Sequence, residues 1–211
     1  MNGLVLAGGH SRRMGQPKSL LYYHGKPQYQ YAAELLSGIC DQVFISCRPE
    51  QQAMFEGFEI ILDSAIYGDI GPLNGVLSAF DHEPKSAWVV LGCDYPLLQP
   101  SDLEQLIQAR NPNAVATVFY HPETKFPEPL IGIYELTAGP LLHDWLRLGN
   151  ESLRRFLEKN TVQYVIPPNP EYLKSVDTPE EMRKITKSPY NQITKSPYNH
   201  ITKSPNHQIT K

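Results

Sequence analysis

Cysteine is scarce in this chain. Cys40, Cys47 and Cys93 are an odd set without metal-ligand spacing, which excludes a disulfide framework or a zinc module and predicts reduced thiols. No apolar run approaches the length of a membrane span, and Met1-Asn2-Gly3 runs into apolar sequence rather than a signal peptide, so a cytoplasmic protein with no membrane partner is expected. Positive charge is not in excess: 19 Lys and Arg against 22 Asp and Glu leave a net charge of −3, which argues against nucleic acid as a partner. No Ser-His-Asp or Cys-His arrangement stands out. Two common phosphate-binding loops are absent too, because no Gly-x-Gly-x-x-Gly occurs near the N-terminus and Gly15 is separated from Lys18-Ser19 by Gln16-Pro17.

Strand and helix patterns alternate over most of the chain. Apolar runs predict strands at 4–7, 43–47, 59–62, 87–91, 114–119, 129–134 and 162–166, with 87–91 the most apolar and so central. Helices are expected at 28–38, 50–55, 73–82, 138–148 and 151–158, and one opening at Thr178-Pro179. A further helix should start at Pro100-Ser101-Asp102, with Ser101 as cap and Glu104 closing a capping box. This order predicts a three-layer α/β domain with a mainly parallel sheet, spanning residues 1–184. Residues 185–211 repeat Ile-Thr-Lys-Ser-Pro with a period of eight. So few apolar residues cannot build a core, and a disordered tail is expected. The tail holds four lysines and no acid, which leaves residues 1–184 with 15 basic and 22 acidic groups, a net of −7.

An anionic body that binds an anion must gather its cations locally, and residues 4–18 do so. The run Leu4-Val5-Leu6-Ala7 breaks at Gly8-Gly9 and is followed by Arg12, Arg13, Gly15 and Lys18. Bare glycine backbone, two guanidiniums and an ammonium in so short a span make a cradle for a polyphosphate. Three other stretches fall where strands should end, which in α/β sheets is where ligands bind. Asp94 follows the central strand and offers the hard oxygen that Mg²⁺ favours. Asp63-Ser64 precedes the glycine-rich Gly68 to Gly75, where Asp63 could accept from sugar hydroxyls or guanine N–H groups. For Asp69 and for Asp177-Thr178-Pro179, turn formation and capping serve as well.

Leu-Ala-Gly-Gly-x-Ser-x-Arg-Met-Gly-x-x-Lys, written by residues 6–18, resembles the opening motif of nucleotidyltransferases. Together with Asp63-Ser64, Gly71-Pro72-Leu73-Asn74-Gly75, Cys93-Asp94-Tyr95-Pro96 and Thr178-Pro179-Glu180, the chain resembles molybdenum cofactor guanylyltransferase, over about residues 2–184. The resemblance implies a Rossmann-like nucleotidyltransferase fold of the nucleotide-diphospho-sugar transferase type. It also implies transfer of GMP from GTP to molybdopterin, with Mg²⁺ as cofactor and molybdoenzymes or their chaperones as further partners. By the same resemblance Leu6, Ala7, Gly8, Gly9, Lys18, Ser46 and Asp63 would bind the nucleotide, Asp94 would hold Mg²⁺, and Arg13, Lys18 and Asp94 would be catalytic. Ser46 stands where the family often has an asparagine, and Ser175 and Asp177 stand at two more. A related transferase using CTP or another phosphorylated acceptor, and a nucleotide-binding regulator without turnover, are the other readings of the same residues.

Overall fold

The computed structural model describes residues 1–9, 17–176 and 181. A seven-stranded sheet runs through the centre. Its strands are β1 (Asn2–Leu6), β2 (Val43–Cys47), β3 (Glu59–Leu62), β4 (Trp88–Gly92), β5 (Ala116–His121), β6 (Phe126–Tyr134) and β7 (Val162–Val165). Their spatial order is β3-β2-β1-β4-β6-β5-β7. Only β6 runs against its neighbours β4 and β5; the other pairings are parallel. Strand β4 is central, as its apolar sequence predicts.

The helices are α1 (Gln28–Ser37), α2 (Pro72–His82), α3 (Pro100–Gln108), α4 (Ala138–Arg147) and α5 (Leu153–Lys159). Successive strand residues point to opposite faces, so each strand feeds two cores. On one face Val5, Ile45, Val89 and Leu91 pack with Tyr29, Ala32 and Leu36 of α1 and Leu103 and Leu106 of α3. On the other, Leu4, Phe44, Trp88 and Val90 pack with Leu73, Val76 and Leu77 of α2, Leu142 of α4 and Phe156 and Leu157 of α5. Each fully buried side chain of this kind contributes about 1.5–3 kcal/mol. The three layers predicted from the alternating pattern are present. No helix among the described residues is long and apolar enough to cross a membrane.

The N-terminus of α3 differs from its sequence reading. Gln99, not Ser101, is the capping residue: its backbone is extended, Pro100 is the first helical residue, and the Gln99 N–H donates to Asp102 Oδ2 at 2.8 Å. Proline's fixed φ suits the first helical position, which moves the cap one residue ahead of it and makes Asp102, rather than Glu104, the closing acid. The stretch at 50–55 forms a 3₁₀ helix over Pro49–Met54. The helix expected at Thr178 and the repeats at 185–211 lie outside the described residues.

Chain order places the site. From β1 the sheet grows one way through β2 and β3, and the chain then crosses to β4 on the other side of β1. Strands β1 and β4 therefore flank a topological switch point, whose carboxyl ends open a crevice.

Candidate functional site

A cleft of about 740 Å³ lies at that switch point. It is lined by Leu6, Ala7, Gly8 and Gly9 after β1, Ser46 and Arg48 at the end of β2, Asp63 after β3, Asp94 after β4, and Lys18. Every site residue singled out from the sequence that the structure describes lines this one cleft. Arg13 lies within 10–16, outside the described residues.

Tight packing explains two glycines here. A Cβ at Gly75, in α2, would stand 2.4 Å from Ser46 Oγ and 2.7 Å from Leu6 Cδ2, so a larger residue there would have to push both side chains out of place. A Cβ at Gly8 would stand 3.1 Å from Asp63 Oδ2 and 3.3 Å from Cys47 Cα. The loop backbone therefore lies directly against the carboxylate. Helix α2 opens at Gly71, whose φ of +63° suits glycine, with Pro72 as the first helical residue.

Asp63 is held from one side. The Ser46 hydroxyl donates to its Oδ1 at 3.0 Å. Burial pushes the Asp63 carboxyl above its ordinary value, against the lowering effects of the Ser46 hydroxyl and the Arg48 charge. Ser46 thus spends its donor on Asp63. Arg48 Nη2 reaches Asp69 Oδ1 at 2.9 Å, linking the end of β2 to the loop before α2.

That loop is tied down by Asn74, the unspecified residue of Gly-Pro-Leu-x-Gly. Its Oδ1 accepts from the Ser64 N–H at 2.8 Å and the Ser78 hydroxyl at 3.0 Å, and its Nδ2 donates to the carbonyls of Ser64 and Gly68, both at 2.9 Å. All four amide hydrogen-bonding positions are satisfied in a residue 4% exposed. Sequence reading passed over Asn74 and Arg48. A strand-end position could have found Arg48; no local signal distinguishes Asn74.

On the other wall, Lys18 Nζ stands 3.7 Å from Asp94 Oδ2, and both side chains are 22% exposed. The Asp94 carbonyl accepts from the Val176 N–H at 2.9 Å, so the chain returns to the loop that carries Asp94 after β7. Tyr23 packs there with Leu21 and Val176. Its phenol is pushed up to about 12, first by burial and then by the charges of Asp94 and Glu181. Next to Asp94, the Tyr95 hydroxyl donates to Glu128 Oε1 at 2.6 Å, and burial raises the Glu128 carboxyl. No group of three or more His, Cys, Asp or Glu suited to a metal occurs among the described residues. Asp94 alone fits an ion such as Mg²⁺, which binds through one or two carboxylates and completes its shell with water and substrate phosphates.

A mainly parallel sheet of this order, opening at its switch point onto a glycine-walled cleft, is the architecture of nucleotidyltransferases. The solved molybdopterin-guanine dinucleotide biosynthesis protein A from Archaeoglobus fulgidus shares it, with a TM-score of 0.72 and 26% identity over 88% of this chain and 97% of that one. CMP:2-keto-3-deoxy-manno-octonic acid synthetase, at 18% identity and a TM-score of 0.64, shares the fold alone. The chain belongs to the MobA-like NTP transferase domain family, whose profile matches residues 3–164. Among curated relatives, a probable molybdenum cofactor guanylyltransferase from Nostoc sp. is 32% identical over 88% of this chain and 90% of its own length. A molybdenum cofactor biosynthesis bifunctional protein from Synechocystis sp. is 33% identical over 87% of this chain, which spans about half of that relative, 53%.

Proposed function

We propose that this protein transfers GMP from GTP to the terminal phosphate of molybdopterin, releasing pyrophosphate and forming a molybdopterin guanine dinucleotide. The observation that carries this reading is the meeting of Lys18 and Asp94, 3.7 Å apart, in the same cleft as Gly8, Gly9, Ser46 and Asp63. The names of relatives matched over most of the chain support the choice of GTP and molybdopterin. Molybdoenzymes or their chaperones are the proposed recipients of the product.

The chemistry follows from charge. An oxygen of the acceptor phosphate attacks the α-phosphorus of GTP in line. The bond from that phosphorus to the bridging oxygen breaks, and the electron pair leaves with pyrophosphate. Two anions must meet, so neutralising charge lowers the barrier more than any proton transfer could. The attacking oxygen is already ionised, so no side-chain nucleophile or base is required. Asp94 is the proposed Mg²⁺ ligand, and the ion when bound would offset phosphate charge. Lys18 exchanges the Asp94 carboxylate for the β- and γ-phosphates and follows their charge as pyrophosphate departs. Arg13 is the proposed second cation, by its place in the motif. The glycine N–H groups at 8 and 9 receive phosphate oxygens, and Asp63, oriented by Ser46, accepts from the nucleoside.

The test is incubation with each labelled NTP, Mg²⁺ and molybdopterin, following pyrophosphate release. Release with GTP is the expected result. Release with CTP instead would make the protein a cytidylyltransferase, and nucleotide binding without release would make it a regulator.

A further inference from the structure

A second recess, of about 470 Å³, adjoins the nucleotide cleft, and Pro72 and Leu130 are walls of both. Leu130 also flanks the reaction site: a Cβ on Gly92 would stand 2.7 Å from Asp94 Oδ1 and 3.3 Å from Leu130 Cβ. A phosphate held beside Asp94 could therefore carry the rest of its molecule past Leu130 into this recess. The recess lies on the β6 side of Asp94, whereas Ser46, Arg48 and Asp63 lie on the β2 and β3 side. The two sides suit the two substrates of a transfer reaction.

Its lining has a distinct chemistry. Phe126, the first residue of β6, leaves 45% of its surface exposed. The Arg154 guanidinium lies 4.8 Å above that ring, and Arg155 lines the same recess. Among the described residues, neither arginine has a carboxylate within ion-pairing distance. A guanidinium stacked on one ring keeps its other face for a second flat group and its in-plane N–H fork for acceptor atoms. Glu151 and Glu158 add acceptors at the rim.

We infer that this recess binds the body of the acceptor, a phosphorylated compound with a planar heterocycle bearing both acceptor and donor edges, and that Arg154, Arg155 and Phe126 set its affinity. The inference rests on the transferase reading and gives it a second half-site. GTP enters from the β2 and β3 side, the acceptor enters from the β6 side, and their phosphates meet at Asp94.

The experiment compares the parent protein with Arg154→Ala/Arg155→Ala and with Phe126→Ala, using Arg147→Ala on the outer surface of α4 as control. Acceptor KM is measured with GTP, Mg²⁺ and molybdopterin, and GTP affinity is measured separately by calorimetry. Charge-assisted contacts of this kind correspond to a tenfold or larger effect. The double variant should raise the acceptor KM at least tenfold, Phe126→Ala should raise it severalfold, and Tm and GTP affinity should stay at parent values. Arg154→Lys/Arg155→Lys should recover only part of the loss, because an ammonium cannot stack as a plane. An unchanged acceptor KM in an active protein overturns the subsite and leaves the transferase reading standing. An equal loss of GTP affinity makes the recess part of the nucleotide site and overturns the inference too. A parent protein that transfers no GMP to molybdopterin overturns the reading and the subsite together.

Discussion

In β3-β2-β1-β4, the polar side chains at the strand ends face a cleft, and Asp63 is gripped there by one hydroxyl only. Asp63 has one oxygen on Ser46 and the other against the Gly8 backbone, and Asp94 shares the wall with Lys18. In β6-β5-β7, the same kinds of group close on one another. Glu135, 2% exposed, takes Arg110 Nε at 2.7 Å and Nη2 at 2.8 Å, and the buried Thr117 hydroxyl accepts from the Asn111 N–H at 3.0 Å. Both halves bury polar atoms in one sheet, so burial alone does not mark a site. What separates them is whether the hydrogen-bonding capacity has been used up within the fold. A buried carboxylate gripped by both guanidinium arms has its charge balanced and both oxygens engaged within the fold, while one held by a single hydroxyl keeps its charge and one oxygen for a ligand.

The contrast predicts that changes in the first half harm chemistry and changes in the second harm stability. The largest effect should come from Asp94→Asn. An amide is a poor Mg²⁺ ligand, so GMP transfer should fall a hundredfold or more, on the order of 3 kcal/mol of barrier, with Tm unchanged. Near-parent turnover at saturating Mg²⁺ would remove Asp94 from the site. Glu135→Ala should do the reverse. Removing one partner of a buried pair is costly, and because the Arg110 side chain remains 30% exposed the loss should be about 2–3 kcal/mol in urea unfolding, with GTP affinity retained. A drop in GTP affinity without loss of stability would erase the distinction between the halves.

Lys18→Ala should raise the GTP dissociation constant or cut the transfer rate ten- to hundredfold, and Lys18→Arg should restore only part of it. Unchanged binding and turnover would reduce Lys18 to a surface lysine. The last effect concerns Asp102, a buried acid with no cation paired to it among the described residues. Burial pushes its carboxyl up to about 6 from an ordinary 3.8, although the Gln99 N–H works the other way. The folded state therefore favours the protonated form. The stability this provides is complete below about pH 4 and is lost as pH rises through about 6, on the order of 1–3 kcal/mol. Asp102→Asn should remove that slope, and parent and variant curves that stay parallel between pH 4 and 6.5 would contradict it.

Much of this arrangement is legible in the residues themselves. Strands 43–47 and 59–62 have the predicted bounds because Arg48-Pro49 and Asp63-Ser64 stop them sharply. Asp63 and Asp94 can be picked out because a strand's carboxyl end is a position that a linear pattern defines. The insertion of β6 between β4 and β5, and with it the placing of Leu130 beside Asp94, depends on long-range pairing that no periodicity encodes. Asn74 escapes notice for the same reason: its four partners lie on a loop that the sequence shows only as glycine-rich. The cap at Gln99 escapes because the backbone preference of Pro100 outweighs the better capping side chain of Ser101.

Strand β4 is hydrogen-bonded on both edges, parallel to β1 and antiparallel to β6, and all five of its residues are buried. Its amides should exchange with solvent only when the whole domain opens, whereas the helices and outer strands can come apart locally at smaller cost. Asp94 hangs two residues beyond this most durable strand. Fluctuations that loosen the periphery can therefore pass without moving the carboxylate proposed to hold Mg²⁺.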